Sequence, residues 1–240
     1  MMDGDVDDIL KRAASAPHEV DREAIKRASD LILPALKPVR PLPSTGVVAL
    51  TLQVIFVVVA ILGATALGNN GIRVLNKLQA LLIFAALGVS ARLASVAAAS
   101  EMVPAHPKRI APPVLLAGAT GLFVLVFGVL FYDYRLDRFV REGLSCVGAG
   151  LVYAGMAGLL IWLVLRRGYI LDPAAAGLAA GTLAGLTGLG MLELHCPILK
   201  SLHLMVWHTA VIPLSALGGY LAGRMVHDLG IKRKAAEFMQ

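Results

Sequence analysis

The sequence carries little charge for its length. Only 16% of its 240 residues are charged, whereas 58% are hydrophobic, and the mean hydropathy is +0.75. Soluble domains are typically about 25% charged and about 45–50% apolar. This composition is typical of a chain whose main solvent is lipid rather than water.

Motifs for catalysis and nucleotide binding are also absent. The chain has no phosphate-binding glycine loop followed by Lys-Ser/Thr, no zinc-protease helix motif and no serine nucleophile elbow. Acidic residues are scarce within the apolar runs, although proton-coupled transporters usually need them. We therefore expect a protein that is not an enzyme and has no evident small-molecule substrate. The net charge is +6, but no stretch combines aromatic and basic residues, so we expect no nucleic-acid binding.

Six apolar runs dominate the sequence between residues 47 and 224. A membrane-spanning helix needs about 20 mostly apolar residues, and each run approaches or exceeds that length. The runs are Val47–Leu67, Leu78–Ala99, Val114–Tyr132, Leu144–Leu165, Ala174–Leu194 and Met205–Arg224. The pattern predicts an all-α membrane protein, a six-transmembrane-helix bundle with short connections. A cytoplasmic amphipathic segment with a proline-rich linker precedes it (1–46), and a basic cytoplasmic tail follows it (225–240).

Two local signals refine the fifth run. The pair Asp172-Pro173 is typical of a helix start, with the aspartate as cap and the proline at the first position. Glycines recur at Gly177, Gly181, Gly185 and Gly188. Small residues at this spacing allow neighbouring membrane helices to approach closely. We therefore interpret the glycines as packing positions.

The distribution of Lys and Arg predicts the orientation. Fifteen of them lie in the first 46 residues, the second and fourth connections and the C-terminal end, against six in the other connections. Cytoplasmic loops carry the excess of positive charge in membrane proteins. We therefore expect both termini in the cytoplasm of a bacterium, with the chain in the inner membrane and in contact with its lipid bilayer.

The N-terminal segment contains two stretches whose apolar residues recur at the spacing of one helical face. Pro17 separates them, and four prolines between residues 34 and 43 predict an extended linker. Such helices have no core of their own, so they lie either on the protein's cytoplasmic face, on lipid, or on a cytoplasmic partner. The candidate docking residues are Val6, Ile9, Leu10, Val20, Ala24, Leu31 and Ile32.

The chain has two cysteines, and the topology predicts both at its outer, periplasmic end. Cys146 is expected to begin the fourth helix and Cys196 to end the fifth, and these helices should be antiparallel neighbours. Disulfides persist in the periplasm, but cysteine is also a common small packing residue. A disulfide and two unrelated packing cysteines therefore both remain open.

Histidines near Cys196 raise a metal site as a further interpretation. Imidazole and thiolate are good ligands for zinc and similar ions. The spacing matches no established zinc signature, and His208 next to Trp207 also suits a membrane interface. We expect no cofactor and keep metal as the alternative. The candidate ligands are His195, Cys196, His203 and His208.

The C-terminal half carries motifs that resemble a known family. They are LRRGYILDPAAAGLAAGTLAG at 165–185, LELHCP at 192–197, the Trp207-His208 pair and GGYLAGR at 218–224. With Cys146, the short charged N-terminus and the six-helix layout, the chain resembles the NrsF-type family of bacterial membrane anti-sigma factors. The resemblance covers nearly the whole chain.

The resemblance implies a negative regulator of an extracytoplasmic-function (ECF) sigma factor. Such a protein holds the sigma factor at the inner membrane, away from RNA polymerase, and a periplasmic signal involving two cysteines releases it. Carried over to this sequence, Cys146 and Cys196 are the expected sensing pair. The resemblance assigns no sigma-binding residues. The alternatives are a redox- or metal-handling membrane protein, either enzyme or transporter, and a structural membrane subunit.

Overall fold

The computed structural model describes residues 8, 11, 22–32, 43–103 and 110–238. Every regular element in these residues is a helix, which confirms the all-α prediction. The chain divides into two units, Met1–Pro41 and Leu42–Gln240, and each is described by itself.

Within the described residues of the second unit, six helices are long and apolar enough to cross a membrane. The sixth spanning segment, Ser201–Val226, opens with a turn, Ser201–His203, and a π-helical turn, Leu204–His208. A separate short helical turn, Gly71–Val74, follows the first helix. The six helices are α1 (Thr45–Leu67), α2 (Lys77–Ser100), α3 (Pro112–Leu130), α4 (Phe139–Leu165), α5 (Pro173–His195) and α6 (Thr209–Phe238).

Side-chain caps set where α2 and α5 begin. Asn76 accepts a hydrogen bond from the Gln79 backbone N–H at 2.8 Å, and the Gln79 side chain accepts one from the Asn76 N–H at 3.1 Å. Asp172 accepts a hydrogen bond from the Ala175 N–H at 3.0 Å, with Pro173 at the first helical position. These bonds satisfy N–H groups that have no partner within the helix. The predicted start of the fifth helix is confirmed.

The fourth helix begins earlier than the apolar run indicated. It starts at Phe139, directly after Arg138, which has left-handed backbone geometry with φ of 53°. The prediction that Cys146 begins this helix is therefore wrong, because Cys146 lies seven residues inside it. The hydrophobicity pattern left Arg141 and Glu142 out of the predicted fourth helix because they are charged. Charged residues are nevertheless readily accommodated in the first turns of a helix, where an acidic residue also interacts favourably with the helix dipole.

Helix α5 lies at the centre of the bundle. Its most apolar stretch is 78% buried, against 22–44% for the other five spanning segments. A Cβ atom on Gly185 would lie 2.6 Å from Cα of Ile212, and one on Gly181 would meet the carbonyl oxygen of Ser215. The backbones of α5 and α6 thus approach each other where no side chain stands between them. This confirms that the glycines are packing positions.

The first unit contributes one described helix, Arg22–Ile32, which confirms helix formation in the second amphipathic stretch. The backbone of Ala24, Leu31 and Ile32 lies within this helix. The other candidate docking residues, Val6, Ile9, Leu10 and Val20, lie outside the described residues. At the other end of the chain, α6 stays helical to Phe238, beyond the predicted start of the tail.

We expect Gly219→Ala to destabilise the bundle, because the added Cβ would meet the carbonyl oxygen of Gly177 on α5. Overpacking of this kind costs about 1–3 kcal/mol. The matched control is Gly218→Ala, whose Cβ meets nothing within 4 Å; alanine there favours the helix by up to about 1 kcal/mol. Thermal unfolding of the detergent-solubilised chain, followed by circular dichroism, compares the two. Equal melting temperatures would contradict the close packing.

Candidate functional site

The candidate site lies at the end of the bundle where α1, α3 and α5 finish, which we call the site end. Hydrogen bonds tie its connections together. The Gln79 side-chain amide donates to the Leu130 carbonyl at 3.1 Å, and the Ser201 N–H donates to the Asp133 carbonyl at 2.8 Å. The segments that carry the site are therefore held in fixed positions relative to the helices.

The two cysteines are in contact at the site end. Sγ of Cys146, on α4, lies 3.6 Å from Sγ of Cys196, which directly follows α5. Both are free thiols. Cys196 is buried and Cys146 is half-buried, so the pair is approached from the Cys146 side. A disulfide has an S–S bond of about 2.05 Å, so a modest movement joins the two sulfurs.

Two histidines complete the cluster. Nε2 of His203 lies 3.8 Å from Sγ of Cys196, and the rings of His203 and His208 meet edge to face with centroids 5.1 Å apart. Residues five apart in an α-helix point about 140° away from each other. Here the π-helical turn, with its i→i+5 hydrogen bonding, brings His203 and His208 onto one face.

A buried carboxylate orients His208. Nδ1 of His208 lies 2.6 Å from Oε1 of Glu193, and both side chains are almost completely inaccessible to solvent. The other ring nitrogen of His208, Nε2, is buried and has no hydrogen-bond partner among the described residues. Glu193, which the sequence places in a polar patch with Cys196 and the histidines, is therefore part of the site; the sequence did not indicate that it orients His208.

The structure brings together a set of ligands that differs from the expected one. One ligand atom from each of Cys146, Cys196, His203 and His208 lies within 4.8 Å of all the others. His195 is outside this group, because its Nδ1–H donates to the Gly68 carbonyl at 2.8 Å. Cys146 thus takes the place that the sequence analysis gave to His195.

Neighbouring elements enclose the cluster. Gly71 packs so closely on it that a Cβ atom there would lie 2.6 Å from the carbonyl oxygen of Glu193 and 2.8 Å from that of Cys196. The Trp207 indole lies against Phe139, with ring centroids 5.3 Å apart and planes tilted by 52°, and lies over Gly143. Gly71 and this aromatic pair thus pack beside the segments that carry the cluster.

The surroundings of Cys196 favour its protonated form. Its hydrogen-bonded contact with Cys146 and its burial raise the pKa of the thiol above its ordinary value, while the contacts with His203 and His208 act in the opposite direction. Cys196 therefore stays protonated unless an oxidant or added positive charge nearby changes its state.

Fold and site together define a multi-pass helical membrane protein with a buried thiol–imidazole cluster at one end. The family described as NrsF, negative regulator of sigma F, matches residues 34–227, which include all six spanning segments and the cluster. The chain therefore belongs to the NrsF family, whose description is that of a negative regulator of a sigma factor. Comparisons with curated proteins and with solved structures gave no match.

We expect mild oxidation with diamide, in the presence of a chelator, to join Cys146 and Cys196 within one chain. Their sulfurs are already 3.6 Å apart, so little backbone movement is required. Intact mass spectrometry should show the loss of two hydrogen atoms and no remaining alkylation by iodoacetamide. The control, Cys146→Ser, should keep one alkylatable thiol. Full alkylation of both cysteines in the oxidised wild type would contradict the geometry.

Proposed function

We propose that this chain is an anti-sigma factor of the bacterial inner membrane that holds an ECF sigma factor and releases it when a periplasmic signal changes the cysteine pair. Family membership supports the negative regulation of a sigma factor. The observation that carries the sensing part is the 3.6 Å contact between the two thiols at the site end.

The distribution of positive charge supports the orientation. Six Lys and Arg residues lie in or beside the connections at the site end, whereas fifteen lie in residues 1–46, in the second and fourth connections and at the C-terminal end of the sequence. The side with more positive charge faces the cytoplasm in inner-membrane proteins. The thiol cluster then faces the periplasm, and residues 1–46 enter the cytoplasm, where a sigma factor is found.

The connection between α4 and α5 is the proposed route between the two sides. At the site end Cys146, on α4, contacts Cys196, which directly follows α5. At the opposite end the Tyr169 N–H, in the same connection, donates to the Met102 carbonyl after α2 at 3.0 Å, and Gly168 packs on Met102. A disulfide draws the sulfurs together by about 1.5 Å. This movement of the sulfurs releases the sigma factor only if it also shifts the cytoplasmic connections that contact the sigma factor.

The amphipathic N-terminal segment is the proposed docking surface. The sequence pattern predicts that its candidate residues form apolar faces on short helices without a core of their own. The described helix Arg22–Ile32 leaves Ile25 57% exposed. A segment of this kind gains its stability by burying the apolar face on a partner, in the manner of a helix in a groove.

A metal- or redox-handling membrane protein, enzyme or transporter, is the second candidate. The observation that favours it is the convergence of two thiols and two imidazoles within 4.8 Å. Such a protein would act on the bound ion or redox partner and would need no sigma factor. Co-purification separates the two candidates, because only the first requires a stable complex with a sigma factor.

We expect the full-length protein, purified in mild detergent from its own host, to retain a sigma factor that mass spectrometry identifies. The double variant Ile9→Ala and Leu10→Ala should weaken retention about tenfold or more, because burying each aliphatic side chain contributes about 1.5–3 kcal/mol. The matched control truncates the flanking polar residues, Asp8→Ala and Lys11→Ala, and should retain the sigma factor. Purification of a folded wild-type chain without any sigma factor would refute the proposed function. Equal retention by both double variants would refute the docking surface alone.

A further inference from the structure

We propose that Cys146, Cys196, His203 and His208 form a tetrahedral site for one soft divalent cation of the zinc class, with Glu193 orienting His208 from outside. The site shares its two sulfurs with the proposed sensor, so a regulatory role for the ion rests on the proposed function. Binding of the ion does not rest on the proposed function, because it is measured without a sigma factor.

The separations of the ligand atoms fit a tetrahedron. Zinc lies about 2.3 Å from sulfur and about 2.0–2.1 Å from imidazole nitrogen, so the edges of a Cys2His2 tetrahedron are about 3.3–3.8 Å long. The Sγ–Sγ distance is 3.6 Å and the distance from Sγ of Cys196 to Nε2 of His203 is 3.8 Å. The most distant pair is within 4.8 Å, so small side-chain rotations close the remaining gap.

The hydrogen bond between Glu193 and His208 matches those found around protein metal sites. Histidines that bind metals usually donate their other ring N–H to a carboxylate, which fixes the tautomer and the ring orientation. Glu193 accepts this bond from Nδ1 of His208 at 2.6 Å. The nitrogen left for a ligand is Nε2, which is buried and has no hydrogen-bond partner in the described part of the chain. A bound cation would give Nε2 of His208 the partner that it lacks.

The donor set selects the class of ion. Two thiolates and two imidazoles are the ligands of zinc and of other soft or borderline cations, whereas calcium and magnesium require oxygen ligands. Two thiolates also balance the two positive charges of the ion, which favours a neutral complex in a site shielded from water. Four protein ligands leave no open position, so the ion is structural or regulatory and does not bind substrate.

Binding would join three separate parts of the bundle. Cys146 lies on α4, Cys196 follows α5, and the two histidines lie on the turns before α6. An ion held by all of them ties these elements together at the site end and adds its binding energy to the stability of the fold. The ion and a disulfide use the same sulfurs, so the two states exclude each other.

The test uses the full-length chain in detergent, reduced with a phosphine and stripped with a chelator. Co²⁺ is the probe, because tetrahedral cobalt bound to thiolates has strong visible bands and sulfur-to-cobalt charge-transfer bands. We expect these bands to saturate at one Co²⁺ per chain and to disappear when Zn²⁺ is added. Cys196→Ser and His203→Ala should lose or markedly change both features. Glu193→Gln should keep the spectrum but bind about 10–100-fold more weakly, as when other groups that hydrogen-bond a metal-binding histidine are changed.

His195→Ala is the matched control, since His195 is adjacent to Cys196 but bonds to the Gly68 carbonyl. It should bind Co²⁺ with wild-type affinity and an unchanged spectrum. Circular dichroism of each metal-free variant establishes that it is folded. Absence of thiolate charge-transfer bands in the folded wild type would overturn the site. An equal loss of Co²⁺ binding in His195→Ala and His203→Ala would also overturn the site. A chain that binds one Co²⁺ but retains no sigma factor would leave the site standing and refute the proposed function.

Discussion

The close approach of α5 to its neighbours is the constraint on which the rest of the structure depends. Lipid offers no hydrophobic driving force between helices, so membrane helices associate through tight packing. Glycines on α5 let the α6 backbone come so near that a Cβ on Gly185 would lie 2.6 Å from Cα of Ile212. On another face, a Cβ on Gly188 would meet the carbonyl oxygen of Gly150 on α4. The central position of α5 thereby places its end, with Glu193 and Cys196, between α4 and the start of the sixth span.

The site follows from that placement. Glu193 reaches His208 across the interface, and Cys196 lies between Cys146 and His203. These groups are polar and lie at the end of an apolar bundle, where burial is costly for a polar group without a partner. Their convergence is therefore the feature of the chain that most needs a functional explanation. The family provides one in the regulation of a sigma factor, and in the proposed function the thiol pair is the part that responds to the signal.

The sequence indicated the helices better than the site. Long apolar runs predicted six spans. The adjacent residues Asp172 and Pro173 predicted the cap of the fifth helix, because their preference for a helix start is local. Hydrophobicity alone missed the true start of α4, because charged residues in a first helical turn remain helical. The π-helical turn is set by tertiary packing, so the spacing of His203 and His208 matched no zinc signature. The cluster contains Cys146 in place of the predicted His195. Which of the two belongs to it depends on the directions in which their side chains point from neighbouring helices, and the sequence pattern does not give those directions.

Under the proposed function, the chemical state of the thiol pair at the site end sets the affinity for a sigma factor on the other side of the membrane. The direct measurement is the dissociation constant of the co-purifying sigma factor for the full-length chain in lipid nanodiscs, with Cys146 and Cys196 either reduced or joined by a disulfide. We expect at least about tenfold weaker binding in the disulfide form, a change of about 1.4 kcal/mol, and no effect of the oxidant on Cys146→Ser. The same dissociation constant in both states of the wild type would contradict it.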